Sequence, residues 1–285
     1  MKDIRLFVCC HKPEYVPDQP LLRPIQVGAA LSSERFEGFL QDDTGENISG
    51  KNRSYCELTA QYWVWKNVSA DYCGFFHYRR YLYPHASAKR PYIIRTKPTD
   101  ALLDKLGYGE WERIIERYDL IAPVGEEMHV SVRAHYASAP HHWAKDLALI
   151  EEIVAKRNPE MKAAMEAYLS GTVHYFGNMY IMRRKVFEDY CAWLFPILEE
   201  FDARADLTGY NPQELRVDGY LAERLFGIYY THMKPSLSAL ELPRVHFHTG
   251  RDYYIKRLTN ALLPPGSARR AALKQIKLQR RRKGS

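Results

Sequence analysis

Short apolar runs without polar alternation constrain the fold of this chain more than any other feature. Residues 4–10 form one such run, and residues 71–78 and 118–123 form two more. A continuously apolar strand is typical of a parallel sheet with both faces covered, because each face then needs an apolar side chain. Residues 175–182 repeat the pattern and predict a further central strand. Helical patterns separate the runs, so the sequence predicts an α/β fold.

Helices are predicted between these strands, most clearly over residues 54–67. Ser54 and Glu57 have the spacing of a capping box. Apolar side chains then recur every three or four positions, at Tyr55, Leu58, Tyr62 and Trp65. Further helices are predicted over residues 101–117, 140–170 with a break at 156–159, 184–201 and 218–230. Residues 13–50 predict loops around a strand near 25–28, and residues 243–255 predict strand and loop.

The positive charge of the chain is concentrated at one end. The 285 residues carry a formal charge of +7, but residues 269–285 hold eight basic side chains and no acidic one. These are Arg269, Arg270, Lys274, Lys277, Arg280, Arg281, Arg282 and Lys283. The rest of the chain has 33 basic and 34 acidic residues, so a basic face for nucleic acid is not implied. We predict a single domain over residues 1–262 and a basic tail over residues 263–285.

Cysteine usage and hydropathy predict a cytoplasmic protein. The five cysteines are odd in number and show no Cys-x-x-Cys spacing, which favours reduced thiols over a disulfide framework. Charges at residues 2, 3 and 5 stand where a signal peptide needs an apolar core. Because the sequence contains no run of eighteen apolar residues, we expect no membrane span.

Several polar residues just before and within the predicted helix at 54–67 indicate a binding site. Asp43, Thr44 and Asn47 surround a glycine, where short polar side chains can hold a ribose or a base edge. The same cluster is also a common turn. Glu57 and Gln61 lie one turn apart and are expected on the ligand side of their helix, although Glu57 also has the structural role of the capping box.

The strand over residues 71–78 runs directly into His77, Tyr78, Arg79 and Arg80. Ligands of open α/β sheets bind at the carboxyl ends of the strands, where His11 closes the first strand. Two arginines there could clamp a diphosphate, whereas the alternative is that they pair with surface carboxylates. A metal-dependent nucleotide-sugar enzyme would require an Asp-x-Asp pair after an apolar strand. No such pair follows an apolar strand in this sequence.

Later polar residues admit both functional and structural interpretations. Asp218 is suited to cap the helix over 218–230 through the helix dipole, and Glu223 in its next turn could act as a general base. His142 and Asp146 are four residues apart and can meet on one helical face. A hydrogen-bonded pair is the favoured interpretation there, because no third or fourth metal ligand is evident.

Nine segments in order carry a family resemblance. They cover residues 43–49, 55–60, 62–67, 74–81, 118–123, His142 with Asp146, 178–180, 190–195 and 216–225. These segments resemble a bacterial family found in capsular, O-antigen and exopolysaccharide gene sets. That family was long described as a domain of unknown function and then recognised as glycosyltransferases, with galactofuranosyl transfer among the activities.

The resemblance implies a GT-A-like, Rossmann-type fold, in which helices flank a mixed sheet. It implies that the protein transfers a hexose, with galactofuranose the leading candidate, from a UDP-sugar to a growing glycan. Residues 77–80 would then replace the metal-binding Asp-x-Asp, which favours metal-independent transfer over use of Mg²⁺ or Mn²⁺. Glu223 or Asp218 would be the base of an inverting reaction, and Asn178 and His142 are expected on the acceptor side.

Acceptors in such gene sets are usually lipid-linked at the anionic cytoplasmic leaflet. Each Lys or Arg near that surface contributes about 1 kcal/mol, so the tail either contacts the membrane peripherally or is a solvated basic segment. The alternative function is a non-catalytic nucleotide-sugar or glycan-binding module of a biosynthetic complex. Nucleic acid is not an expected partner.

Overall fold

The computed structural model describes residues 2–84, 90–273 and 276. The strands are β1 (Ile4–Cys10), β2 (Leu22–Gln26), β3 (Leu40–Gln41), β4 (Tyr72–His77), β5 (Arg80–Leu82), β6 (Tyr92–Arg95), β7 (Leu120–Pro123), β8 (Glu126–Glu127), β9 (Val173–His174), β10 (Tyr180–Arg183), β11 (Ala239–Leu242) and β12 (Arg244–Phe247). The helices are α1 (Asn52–Tyr55), α2 (Leu58–Asn67), α3 (Asp100–Lys105), α4 (Trp111–Ile115), α5 (Val132–Ser138), α6 (Ala144–Arg157), α7 (Lys162–Ser170), α8 (Arg184–Arg204), α9 (Val217–Met233) and α10 (Gly250–Leu262). Within the predicted tail, residues 268–273 are also helical, and residues 274–275 and 277–285 lie outside the described residues.

The central sheet has the strand order β3–β2–β1–β4–β10–β7–β11. Strands β1 to β4 are parallel to one another, and so are β7 and β11. Strand β10 runs antiparallel to its neighbours β4 and β7. Strand β5 turns back from the end of β4 and pairs with β12, which is parallel to β6. A mixed, mainly parallel sheet therefore forms, as the sequence predicts.

Side chains of the central strands alternate between two apolar cores. In β1, Phe7 and Cys9 pack in the core that contains α2 and α6 to α9, whereas Leu6 and Val8 pack in the core that contains α3 and α4. Strand β4 divides its side chains between the same two cores. Because helices cover both faces, each strand needs apolar residues at every position, which accounts for the continuous apolar runs.

The helix predicted over residues 54–67 is interrupted at Cys56. α1 ends at Tyr55 and α2 begins at Leu58, because Cys56 has a φ of 52° and a ψ of −128°. Side chains with a Cβ rarely adopt a positive φ. Hydrogen bonds hold the break, since the Cys56 carbonyl accepts from Asn52 Nδ2 at 2.7 Å and from Thr59 Oγ1 at 3.1 Å.

The capping-box prediction for Ser54 and Glu57 is therefore wrong. The Ser54 hydroxyl donates to the carboxylate of Asp218, 164 residues further along the chain. The Glu57 carboxylate accepts from Asn178 Nδ2 at 2.8 Å. Both side chains thus join α1 and α2 to the second half of the chain.

Other element boundaries also differ from the predictions. The helix predicted over 101–117 is divided into α3, a 3-10 turn and α4. The strand predicted over 175–182 is only β10, because Gly177 and Asn178 have φ values of 99° and 46°. Residues 243–255 contain strand β12 as predicted, but α10 begins at Gly250. The helical region at 140–170, with its break, and the two later helices are confirmed.

Candidate active site

A cleft of about 1120 Å³ opens at the carboxyl ends of β1 and β4. Its walls come from the ends of these strands, the α1–α2 junction, the segment before β10, the first turns of α9 and the connection from β12 into α10. This edge of an open α/β sheet is the usual ligand site. The volume slightly exceeds the usual range of about 300–1,000 Å³ for small-molecule sites, so the cleft is large enough for more than one small ligand.

The turn between β4 and β5 places His77 at the base of the cleft. His77 pairs with Cys9 of β1 and with Arg80 of β5. Burial, followed by the charge of Arg80, lowers the pKa of His77 to about 3, so the imidazole is neutral at physiological pH. Its Nδ1 accepts the Arg79 backbone N–H at 3.1 Å, which leaves the proton on Nε2, available as a donor.

The two neighbouring arginines, Arg79 in this turn and Arg80 at the start of β5, have different surroundings. The Arg79 guanidinium lies 4.9 Å from the centre of the Tyr78 ring and donates to the Tyr78 hydroxyl. The Arg80 guanidinium faces the open cleft, and no hydrogen bond or ion pair to the described residues engages it. Desolvation and then the charge of Arg244 lower the Arg80 pKa. A cation without a protein partner in a cleft is a binding position for an anion.

Cationic side chains outnumber anionic ones along the cleft. The Lys and Arg residues in its lining are Arg53, Arg79, Arg80, Arg216, Arg224, Arg244 and Lys256. The carboxylates of the lining are Glu57, Glu126 and Glu223. Arg244 is paired with Glu126, and Arg224 is paired with Glu223. The remaining cations therefore give the cleft an excess of positive charge that suits a phosphorylated ligand.

Glu223 is held on both carboxylate oxygens. Its Oε1 accepts the Gly177 backbone N–H at 2.6 Å, and its Oε2 accepts from Arg224 Nη1 at 2.8 Å. The positive φ of Gly177 turns this N–H out of the path of β10. Both contacts fix the orientation of the carboxylate.

Glu57 lies at the α1–α2 junction, where its carboxyl group is largely removed from water. Burial raises the pKa of Glu57, and the charge of Glu223 raises it further, against the lowering effects of hydrogen bonds from its own backbone and from Asn178. Asn178 also donates to the Gly219 carbonyl at 3.0 Å, so it fixes Glu57 against α9. A carboxyl group with a raised pKa in a cleft is a candidate acid–base residue.

Gln61 and Asn178 form a buried support beneath this carboxylate. Gln61 Nε2 donates to the Asn178 carbonyl at 2.8 Å, and Gln61 Oε1 accepts from the Tyr180 hydroxyl at 2.8 Å. Both ends of the Gln61 amide are therefore engaged, and neither Gln61 nor Asn178 lines the cleft. The sequence predicts that Gln61 and Asn178 contact a ligand. In the structure they position Glu57 instead.

Asp218 lies outside the cleft, in a fully buried position beneath α1. It accepts from the Ser54 hydroxyl. Burial, and secondarily the charge of Asp202, raises the pKa of Asp218 well above its usual range. Asp218 thus joins α9 to α1, in place of the position in the cleft that the sequence predicts for it.

The predicted nucleotide loop also lies away from the cleft. Asp43 pairs with Arg35 at 2.7 Å, and Thr44 accepts from Trp63 Nε1 through its carbonyl and its hydroxyl. Asn47 Nδ2 closes the turn by donating to the carbonyls of Asp43 and Gly45. These contacts make residues 43–47 a turn, which is the alternative to a nucleotide-binding role. The residues of this region that do line the cleft are Asn52 and Arg53, at the start of α1.

His11 and His142 both line the cleft. The ring centroid of His11 lies 5.2 Å from that of Tyr78, and burial followed by the charge of Arg79 lowers the His11 pKa. His142 stacks on Tyr220 with ring centroids 4.2 Å apart, and burial lowers its pKa to about 4.

The predicted pairing of His142 with Asp146 is wrong. His142 precedes α6 and its Nδ1 contacts the Pro140 carbonyl at 2.7 Å, while Asp146 accepts from the Tyr210 hydroxyl at 2.8 Å. Among the described residues, no group of three or more His, Cys, Asp or Glu side chains is arranged to hold a metal ion.

Several cleft residues were not predicted from the sequence. Arg216 and Tyr220 flank Asp218 in the chain, and Arg216 Nε lies 3.3 Å from the Cys56 sulfur. At the other end of the cleft, His246 stacks on Tyr92 with ring centroids 4.3 Å apart. The segment at 216–225, which carries part of the family resemblance, could have pointed to Arg216 and Tyr220. Nothing in the sequence indicates that Tyr92 lies beside His246.

Two comparisons with known proteins agree with this architecture. A family model described as a domain of unknown function (DUF4422) matches residues 5–234. The apo structure of the WbbM bifunctional glycosyltransferase superimposes with a TM-score of 0.82 and 32% identity, covering 87% of this chain and 46% of that chain. The present chain thus spans about half the length of that protein. No curated protein matches the chain. The predicted GT-A-like fold is confirmed.

Proposed function

Because the chain belongs to the DUF4422 family, we propose that its cleft is the active site of a glycosyltransferase that moves a hexose from a nucleotide sugar to a glycan. The similarity to WbbM, a bifunctional glycosyltransferase, supports this activity. One observation carries the proposal: the Arg80 guanidinium, which no described residue pairs with, shares the cleft with the carboxylates of Glu57 and Glu223. Glycosyl transfer needs a cation for the leaving diphosphate and a carboxylate for the acceptor proton.

The diphosphate of the donor binds at Arg80. Charge-assisted hydrogen bonds from its guanidinium stabilise the negative charge that develops as the sugar–phosphate bond breaks. His77 donates a further hydrogen bond from Nε2, and Arg79 and Arg216 add positive charge nearby. These side chains supply the neutralisation that a bound Mg²⁺ or Mn²⁺ gives in metal-dependent transferases, so the proposed reaction is metal-independent. A UDP-hexose is the proposed donor, with galactofuranose the leading candidate.

Glu57 is the better placed of the two glutamates to accept the proton. Burial raises its pKa, and a more basic carboxylate removes a proton more readily. Glu223 is tied through both carboxylate oxygens to Arg224 and to Gly177, so we assign it the part of a fixed negative charge beside Glu57. In one displacement, the acceptor oxygen bonds to the anomeric carbon, its proton goes to Glu57, and the nucleoside diphosphate leaves. The anomeric configuration is inverted.

The acceptor site lies beside the ring pair of His142 and Tyr220. Aromatic faces stack on the apolar faces of sugars, and both rings line the cleft, with Tyr220 one turn before Glu223 on α9. A growing cell-surface glycan, carried on a lipid, is the proposed acceptor. The structure offers this platform on α9 and on the loop that precedes α6.

A donor screen tests the proposed function. The protein is incubated with UDP-galactofuranose, UDP-galactopyranose or UDP-glucose, with and without EDTA, and the release of UDP is measured. We expect slow, chelator-resistant hydrolysis of one donor that disappears in Arg80→Ala. The alternative, a non-catalytic binding module, would bind UDP in a calorimeter and consume no donor with any acceptor, and that result would overturn the proposal.

A further inference from the structure

Helix α10 exposes four large apolar side chains on one face. Tyr254 and Leu262 are each 70% exposed, Leu258 is 62% exposed and Ile255 is 50% exposed. At 3.6 residues per turn these positions fall within a stripe of roughly 100°. Asn260 is the buried residue of the helix, so α10 contributes almost nothing to the apolar cores. A helix of this length gains most of its stability from packing an apolar face, and this face has no contact among the described residues that would bury it.

The apolar stripe is directed away from the candidate active site. Lys256 of the same helix lines the cleft, and its position lies roughly 150° around the helix from the centre of the stripe. α10 therefore has an inner side that closes one end of the cleft and an outer side that is apolar and exposed.

The part of the sequence that carries the stripe is strongly basic. Arg251 and Arg257 of α10 are exposed, and residues 250–285 contain eleven Lys and Arg residues against a single acidic residue, Asp252. Arg270 holds the following helical segment against α10, since its guanidinium donates to Asn260 Oδ1 at 2.5 Å and to the Tyr92 hydroxyl at 2.9 Å. The basic segment thus begins beside the apolar stripe.

We propose that the outer face of α10 docks on an anionic lipid bilayer. Apolar side chains of an interfacial helix enter the boundary between headgroups and acyl chains, while flanking cations pair with anionic headgroups. A segment with one carboxylate among eleven cations complements a negative surface better than a protein surface of mixed charge. No helix of the described ranges is long and apolar enough to cross a membrane, so this contact is peripheral. The inference stands independently of the proposed transferase activity.

Vesicle flotation of the full chain tests the proposal. The protein is mixed with vesicles of phosphatidylcholine alone or with phosphatidylglycerol added. We expect binding to the anionic vesicles only, with an affinity that falls as salt is raised. The double variant Leu258→Ser with Leu262→Ser should bind at least about tenfold more weakly, because two apolar anchors are lost. Arg251→Gln with Arg257→Gln should weaken binding and flatten its salt dependence.

Leu31→Ser is the matched control, because Leu31 is also an exposed leucine, at 49%, on the 3-10 helix after β2. It should bind vesicles as the wild type does. All variants change exposed positions, so unchanged thermal melting verifies their fold. Undiminished binding of the double leucine variant would overturn the proposal and assign the membrane contact to the tail alone. Failure of the wild type to bind, with a dimer in light scattering that the double leucine variant abolishes, would overturn it in favour of self-association.

Discussion

At the scale of single residues, neighbouring arginines are expected to differ in function because their partners differ. Arg79 is stacked on Tyr78, whereas no described residue pairs with Arg80. Arg80→Ala should lower kcat/KM for the donor by about 100-fold or more, because it removes charge from the leaving diphosphate. Arg79→Ala, the matched control, should stay within about tenfold of the wild type. Steady-state release of UDP measures both.

Thermal melting separates this effect from misfolding. Desolvation and the charge of Arg244 disfavour the charged form of Arg80, so Arg80→Ala should not lower Tm. Equal losses of activity in the two variants would contradict an individual role for Arg80.

The two glutamates of the cleft provide a second prediction. Glu57→Gln should lower kcat by about 10²- to 10⁴-fold while UDP still binds, since it removes the general base. Glu223→Gln should retain more activity and shift the acidic limb of the pH profile of kcat/KM to lower pH. The sign follows because the charge of Glu223 is one cause of the raised pKa of Glu57. An inactive Glu223→Gln beside an active Glu57→Gln would return the base to Glu223.

The sequence located residues at the cleft correctly where a strand fixes the direction of the chain. His77 and Arg80 end an apolar run, and the sheet then determines the edge at which they emerge. Asp43 and Thr44 belong to a loop whose direction depends on Arg35 and Trp63, and nothing local in the sequence specifies those contacts. Proximity in sequence to the strand end was therefore not sufficient to place them in the cleft.

At the scale of elements, the break between α1 and α2 gives a third prediction. Cys56 has a positive φ that costs a residue with a Cβ of the order of 1 kcal/mol or more. Cys56→Gly should therefore be more stable than Cys56→Ala by about 1 kcal/mol in urea unfolding. Both variants lose the contact of the sulfur with Arg216, so the comparison isolates the backbone. In a continuous helix, as the sequence predicted, alanine would be the more stable by about 1 kcal/mol.

Elements were predictable where their apolar pattern was long, and were mistaken where a tertiary contact overrode it. The spacing of Ser54 and Glu57 is a valid local signal for a helix start. It fails because Asp218 and Asn178, from the second half of the chain, offer these side chains partners. The positive φ values at Gly177 and Asn178 likewise shorten β10 to bring an N–H and an amide to the glutamates.

At the scale of the whole molecule, the alternation of strands and helices was sufficient to predict the α/β class. The antiparallel direction of β10 and the pairing of β5 with β12 were not predictable in this way, because they depend on long connections. The cleft depends on the same connections, since Glu57, Arg80, Glu223 and Lys256 reach it from four separate parts of the chain.

The two halves of the chain meet beneath the cleft at Asp218, which makes global stability sensitive to pH. Its folded-state pKa is raised by burial and then by Asp202, which itself binds Lys51 at 2.8 Å and Tyr55 at 2.9 Å. For a raised pKa, the contribution to stability is complete below the unfolded value near 3.9 and is lost as pH rises through the folded value. Asp218→Asn, which remains neutral, should match the wild type at pH 4 and exceed its free energy of unfolding at pH 8 by roughly a few kcal/mol, the order expected when burial raises the pKa of the carboxyl to about 7. Urea unfolding at both pH values measures the difference, with the exposed Asp189→Asn as the control that should show no such dependence. An Asp218→Asn variant that is equally destabilised at both pH values would mean that the carboxylate is charged in the folded protein and that its bond to Ser54 outweighs the cost of burial.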